Sequence, residues 1–192
     1  MRITGGKAVR LRLTAPKGLD VRPTPDLVKQ AVFNSLGPRV GDARVLELFA
    51  GTGALSLECL SRGAVSSLCV EISSRHAEVL RRNFVNAAFA PDSLQVRVQD
   101  AFTAISQLAA ANAQFDIVLA DPPYGEKNVG RRSSSAAQQL LDDSRLPKLL
   151  APGGLFVLGH SKRDSLEITV FWRERKTLKH GDSLMCLLEP AG

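Results

Sequence analysis

The chain has 192 residues, 44% of them hydrophobic and 23% charged, and a formal net charge of +6 at pH 7. That length suits one sizeable core and falls short of two ordinary domains with a linker, and the composition is that of a globular protein. No apolar run approaches the roughly 20 residues that cross a bilayer, and residues 1–7 lack the apolar stretch and cleavage site of a secretory signal, so no membrane role and a cytoplasmic location are expected.

The N-terminal stretch carries Arg2, Lys7, Arg10, Arg12, Lys17 and Arg22 against Asp20 alone. Such clustering attracts a phosphate backbone, although on charge alone a solvated face fits equally well. Val9, Leu11 and Leu13 alternate with Arg10 and Arg12, the period of a half-buried strand, and the preceding Gly5-Gly6 suggests a small β-hairpin. The expected organisation is a basic hairpin extension over 1–21 and a main domain over 22–192. Arg22-Pro23-Thr24-Pro25-Asp26 reads as a helix start, with Thr24 suited to capping, Pro25 to the first helical position and Asp26 to the positive end of the dipole. Val28, Ala31, Val32 and Ser35 share one face and carry the helix to about Leu36, where Gly37-Pro38 ends it.

From Arg44 onward short apolar runs alternate with helical patterns. Strands are expected at 44–49, 67–71, 94–99, 115–120 and 155–159, and helices near 54–62, 74–86, 101–111 and 136–150, the last broken at Pro147. This succession implies a parallel sheet with helices on both faces, because parallel strands need crossover connections. The tail differs, since 168–173 and 183–189 are successive strand-like segments flanking His180-Gly181-Asp182, as in a closing antiparallel hairpin. A second basic stretch runs through Lys162, Arg163, Arg173, Arg175, Lys176 and Lys179. Cys59, Cys69 and Cys186 form no CxxC pair and sit in apolar segments, while His76, His160 and His180 are scattered; reduced core thiols and no metal site are expected.

In an open α/β sheet, ligands bind at the carboxyl ends of the strands. Gly51 and Gly53 follow the first strand, where the chain can turn sharply and offer backbone amides to a ligand. Glu71 closes the second strand, where a carboxylate can accept from ribose hydroxyls. Asp100 closes the third and could accept from an adenine amine, with the amides of Ala101 and Phe102 approaching the ring nitrogens. A dinucleotide fold wants a third glycine where this chain has Ser56, so a cofactor without a pyrophosphate, S-adenosylmethionine, fits better than NAD. Asp121-Pro122-Pro123-Tyr124 then closes the fourth strand. An exocyclic base amine is a poor nucleophile because its lone pair is delocalised into the ring. Asp121 and the Pro122 carbonyl can accept its two hydrogens, the prolines keep that pair rigid, and Tyr124 can stack on the base. These residues point to methyl transfer onto a nucleobase amine.

The segments 47–53, Glu71, Asp100 and 121–124 resemble the motifs of class I S-adenosylmethionine-dependent methyltransferases acting on exocyclic amines. Residues 1–6, Arg22-Pro23-Thr24 with Phe33-Asn34, 60–64 and His180-Gly181-Asp182 more narrowly resemble the bacterial RsmD-like family that methylates guanine N2 in 16S ribosomal RNA. The resemblance implies a Rossmann-like methyltransferase fold, with a mostly parallel seven-stranded sheet, helices on both faces and an antiparallel C-terminal strand. It implies a cofactor site of Arg22, Thr24, Glu47, Phe49, Ala50, Gly51, Gly53, Glu71, Ile72, Asp100 and Ala101, with Pro23 and Phe33 close by, and catalytic Asp121, Pro122, Pro123 and Tyr124. Arg2, Lys7, Arg10, Arg12, Lys127, Arg131 and Arg132 are the expected RNA contacts, and ribosomal RNA or a small-subunit assembly particle the expected partner of a monomer. Gly159 departs from the pattern, which has an acidic residue there. Alternatives are an adenine-N6 methyltransferase, a catalytically silent RNA-binding module and a methyltransferase of protein glutamine.

Overall fold

Runs such as Val45-Leu46-Glu47-Leu48 and Ile117-Val118-Leu119-Ala120 are buried without alternation, the mark of parallel strands covered on both faces. The computed structural model describes residues 1–15, 25–124, 128 and 131–192, which fold into two units, Met1–Ala104 and Ile105–Gly192. Among the described residues seven strands form a mostly parallel sheet, and five α-helices accompany it.

Unit 1 contains α1 (Asp26–Leu36), β1 (Arg44–Leu48), α2 (Ala54–Ser61), β2 (Ser66–Glu71), α3 (Ser74–Asn86), β3 (Leu94–Val98) and the start of α4 (Ala101–Ala110). Its strands lie in the order β3-β2-β1, all parallel, with Val45 opposite Ser67 and Cys69 opposite Val96. The start of α1 differs from expectation: Pro25 occupies the N-cap position, with no side-chain cap, and Asp26 opens the helix. Thr24, the expected cap, lies outside the described residues.

All eight residues of α2 are buried, so its polar side chains need partners. Glu58 accepts from the Thr4 amide and hydroxyl, both at 2.8 Å, and from Arg62 Nε at 2.9 Å. Lys29 of α1, fully buried, stands 3.7 Å from Glu58 and 3.5 Å from Asp26, and its ammonium donates to the Arg2 carbonyl. The N-terminal segment is thereby moored to two helices. It is less regular than the expected hairpin, with a single antiparallel bridge, Arg2 to Arg12, among the described residues. Arg10 has φ 74°, which breaks the two-residue period, so Ile3 and Leu13 are buried while Val9 is half exposed. Residues 16–21 of that extension lie outside the described residues.

Unit 2 contains β4 (Phe115–Ala120), α5 (Ala136–Asp142), β5 (Leu150–Ser161), β6 (Trp172–His180) and β7 (Ser183–Pro190), in the sheet order β4-β5-β7-β6. β4 and β5 are parallel, and β7 is antiparallel to both β5 and β6. The expected strand at 168–173 is instead mostly a connection, with β6 beginning at Trp172. The indole packs on Phe156 at 5.0 Å and donates to the Leu141 carbonyl. The charged run after it pairs with β7, carried by main-chain hydrogen bonds that the apolar pattern does not report. The helix expected to reach residue 150 stops at Asp142, followed by a short 3-10 turn at Leu146–Leu149 that takes up Pro147.

His160, at the end of β5, places Nδ1 3.0 Å from the Ser161 carbonyl and 3.2 Å from that of Asp164, and Nε2 3.5 Å from the Cys186 thiol. Burial pushes its pKa below the ordinary value of 6.5; the carbonyls and the charges of Asp164 and Glu174 act in the opposite sense. The unfolded chain therefore takes up this proton first. The stabilisation is present above about pH 6.5 and is lost as pH falls through the lower folded value. Urea titrations between pH 7.5 and 5 should show a shallower acid loss of stability in His160→Asn than in the parent chain.

Candidate active site

Three residues with positive φ, Phe49 (56°), Gly51 (54°) and Gly53 (74°), wind the chain from β1 into α2. The turn is held from inside. The Ala50 amide donates to the Val70 carbonyl at 3.0 Å, Gly53 to the Ala50 carbonyl at 2.7 Å, and Gly51 to Glu71 Oε2 at 2.7 Å. Glu71 Oε1 accepts from the Ser73 amide at 2.8 Å, and His76 Nδ1 lies 3.5 Å away. The expectation that the glycine turn presents its amides to a ligand is thus corrected for positions 51 and 53, whose N–H groups are used within the protein.

The two glycines serve different ends. A Cβ at Gly53 would lie 2.6 Å from Leu80 Cγ, so this glycine admits α3 against the turn. A Cβ at Gly51 would meet nothing within 4 Å, so this glycine leaves room above the turn.

Glu47 works beneath the turn. Buried, it accepts from the Ser56 amide at 3.0 Å and has the Cys69 thiol at 3.8 Å, and Ser67 and Cys69 both reach Ser56 Oγ. Burial, then the Glu47 charge, drives the Cys69 pKa far up, which keeps it a thiol. Asp100 caps α4, its Oδ1 accepting from the Thr103 amide at 2.8 Å and hydroxyl at 3.1 Å. Ala101 is buried, Ile72 is exposed, and Phe49 meets Phe102 edge to face at 6.2 Å. Sequence reasoning missed Asn83, fully buried in α3, which bonds both backbone groups of Thr14 and the carbonyl of Thr52 in the glycine turn. Arg22, Pro23 and Thr24 lie outside the described residues. Open space over Gly51, a fixed carboxylate at Glu71, the exposed apolar Ile72 and the acid at Asp100 form a donor set that fits an adenosine-bearing cofactor.

In unit 2, the segment following β4 brings Asp121 against β5. A Cβ at Gly159 would lie 2.3 Å from Asp121 Oδ1, so the missing side chain makes the space this carboxylate occupies. Pro122 is buried and Pro123 exposed. Tyr124 is 39% exposed, and its hydroxyl shares a 2.7 Å hydrogen bond with Ser183 Oγ, so its ring is tethered at one end.

The family model described as Conserved hypothetical protein 95 matches residues 1–189. The chain belongs to this family. The matches make it an RsmD-like methyltransferase. The chain is 31% identical over 170 residues to a Bacillus subtilis (strain 168) protein named "Putative rRNA methyltransferase YlbH", covering 88% of each. It is 36% identical over 124 residues to "Ribosomal RNA small subunit methyltransferase D" of Escherichia coli (strain K12), covering 65% of this chain and 60% of the relative. A solved E. coli structure, "Putative methyltransferase yhhF", superposes with TM-score 0.77 at 29% identity, covering 99% of this chain and 97% of that one.

The basic residues proposed for RNA differ in their surroundings. Arg2, Arg10, Arg12, Arg131 and Arg132 are exposed, and Lys7 stands 5.0 Å over the Phe89 ring. Arg2 also pairs with Asp26 at 2.8 Å. Arg132 is engaged by Asp142 at 2.7 Å and Glu167 at 2.9 Å. Lys127 lies outside the described residues.

Proposed function

We propose that this member of the family transfers the methyl group of S-adenosylmethionine to the exocyclic N2 amine of a guanine in 16S ribosomal RNA. The observation that carries the reading is the Asp121 carboxylate set against Gly159 of β5, followed three residues later by Tyr124, 39% exposed and held by its hydroxyl to Ser183. Asp121 and the Pro122 carbonyl accept the two amine hydrogens, which frees the nitrogen lone pair from the ring for attack. Tyr124 stacks on the base, and its tether to Ser183 fixes the plane in which the base lies. S-adenosylmethionine, when bound, supplies an electrophilic methyl on a sulfonium. Glu71 would hold the ribose hydroxyls and Asp100 would face the adenine. The amine sheds its proton to water after transfer, so no general base is needed.

A base inside a duplex is out of reach, so the guanine is flipped out or lies in a loop. The basic N-terminal segment grips the neighbouring phosphates, in naked RNA or in an assembling small subunit, and the protein works as a cytoplasmic monomer. The names of the ribosomal RNA methyltransferase relatives support this substrate class. Mass spectrometry of nucleosides from 16S RNA of cells with and without the gene is the test. Loss of N2-methylguanosine is the expected result; loss of N6-methyladenosine instead would replace guanine by adenine.

Arg10 and Arg12 should act through phosphate. Replacing both by Gln should weaken RNA binding uniformly across sequences and lower the slope of log affinity against log salt by about 1–2. Filter binding between 50 and 200 mM salt measures it, and unchanged affinity at low salt would remove the N-terminal segment from the RNA interface.

A further inference from the structure

Asn83, in the last turn of α3, is 1% exposed and uses its whole side-chain amide on main chain. Oδ1 accepts from the Thr14 amide at 2.8 Å, and Nδ2 donates to the Thr14 carbonyl at 3.0 Å and to the Thr52 carbonyl at 3.2 Å. Toward Thr14 it reproduces the two bonds that a neighbouring strand would make, and its second N–H reaches the glycine turn. One acceptor and two donors on a single planar group is what a side-chain amide offers; an ionised aspartate of the same size only accepts.

The two segments joined in this way are the ones the proposed reaction needs. Thr52 lies between Gly51 and Gly53 in the turn from β1 into α2. Leu80, three residues before Asn83 and on the same face of α3, occupies the place that a Cβ at Gly53 would take. Thr14 lies on the returning arm of the N-terminal segment, two residues beyond Arg12. The outgoing arm is moored to α2, through the amides of Thr4 on Glu58 and Ala8 on Ser61, whereas the returning arm is held on α3 by Asn83. Met1 of the same segment brings its Sδ to 4.0 Å from the Thr52 hydroxyl. Turn and segment thus share a buried amide satisfied at every polar atom. Such a group fixes one arrangement, because a partial break leaves a donor or acceptor unpaired away from water.

We infer that Asn83 is a positioning residue that passes cofactor occupancy of the glycine turn on to the N-terminal segment, so that the loaded protein grips RNA more tightly than the empty one. This rests on the cofactor and RNA placements proposed above. A ligand that orders the turn holds the Thr52 carbonyl, which holds Nδ2, and the same amide then holds Thr14 and the arm that carries Arg12. By linkage, RNA raises the affinity for cofactor by the same factor.

The test titrates the full chain with a 16S RNA fragment at fixed salt, with and without saturating S-adenosylhomocysteine, whose neutral sulfur adds no charge to attract phosphate. The loaded parent chain should bind RNA at least about fivefold more tightly than the empty one. Exchange of the Thr14 amide hydrogen, followed by NMR without RNA, should slow by a similar factor on loading. Asn83→Asp keeps the size and the acceptor but turns a carboxylate on two carbonyls, and its loaded-to-empty ratio should fall to within about twofold of one in both measurements. A merely structural role would lower RNA affinity in both forms alike and leave that ratio at the parent's value, which would overturn the inference. A parent ratio of one in either measurement would overturn it whether or not the variant folds. Unchanged RNA affinity on replacing Arg10 and Arg12 by Gln would instead bring down the RNA placement beneath it, and this inference with it.

Discussion

Asp121→Ala is expected to abolish methyl transfer, lowering kcat by about three orders of magnitude or more, while the affinity for S-adenosylmethionine stays within about twofold. The size follows from the chemistry. The amine attacks only when its lone pair is released from the ring, and in the proposed site Asp121 is one of the two acceptors that would do this. Positioning and electrostatic stabilisation by a preorganised group commonly supply this much, and removing it acts on the transition state, so kcat falls more than KM rises. Single-turnover transfer from labelled cofactor gives the rate, and calorimetry gives the cofactor affinity. Loss of cofactor binding with turnover intact at saturation would move Asp121 from the acceptor site to the donor site.

Lys29→Met should destabilise the protein by about 3 kcal/mol, within a total stability of about 5–15 kcal/mol. Lys29 and Glu58 are fully buried, and removing one partner leaves the other charge uncompensated in an apolar surround. Thr4 and Arg62 still bond Glu58, which holds the loss to the lower end of the usual range. Because the ammonium also bonds the Arg2 carbonyl, the N-terminal segment should loosen with it. Urea unfolding checks the magnitude, and adding Glu58→Gln should return part of the lost stability. A loss below about 1 kcal/mol would mean that the Lys29 charge is not held in place by this network.

The strand and helix succession from Arg44 to Ala120 was legible because buried parallel strands and amphipathic helices each leave a period, and the observed bounds fall within a residue or so of those expected. β6 was not, because a charged strand paired through its backbone has no apolar signature. The placement of Gly51, Glu71, Asp100 and Asp121 at strand ends followed from the run of elements. What each does locally did not follow. That Gly51 donates to Glu71, that Glu47 supports α2 from below, and that Gly159 makes space for Asp121 depend on pairings between residues 9 to 38 positions apart. No local pattern records these. The departure at Gly159 was visible in the sequence; its meaning needed the neighbouring strand. Asn83 left no signal at all, since a buried asparagine on a helix is distinguished only by what it touches.

β6 stands last in its sheet, and a last strand offers a row of open main-chain groups to any passing chain. Here that row is guarded. Arg173, Arg175, Lys176 and Lys179 are exposed along it, and the register shifts between Glu174 and Lys176, so an incoming strand would meet like charge and a broken ladder at once. The basic character proposed to hold RNA elsewhere on the chain would thereby also discourage filament growth, and concentrated preparations should stay clear where a neutralised β6 would seed cross-β stacking.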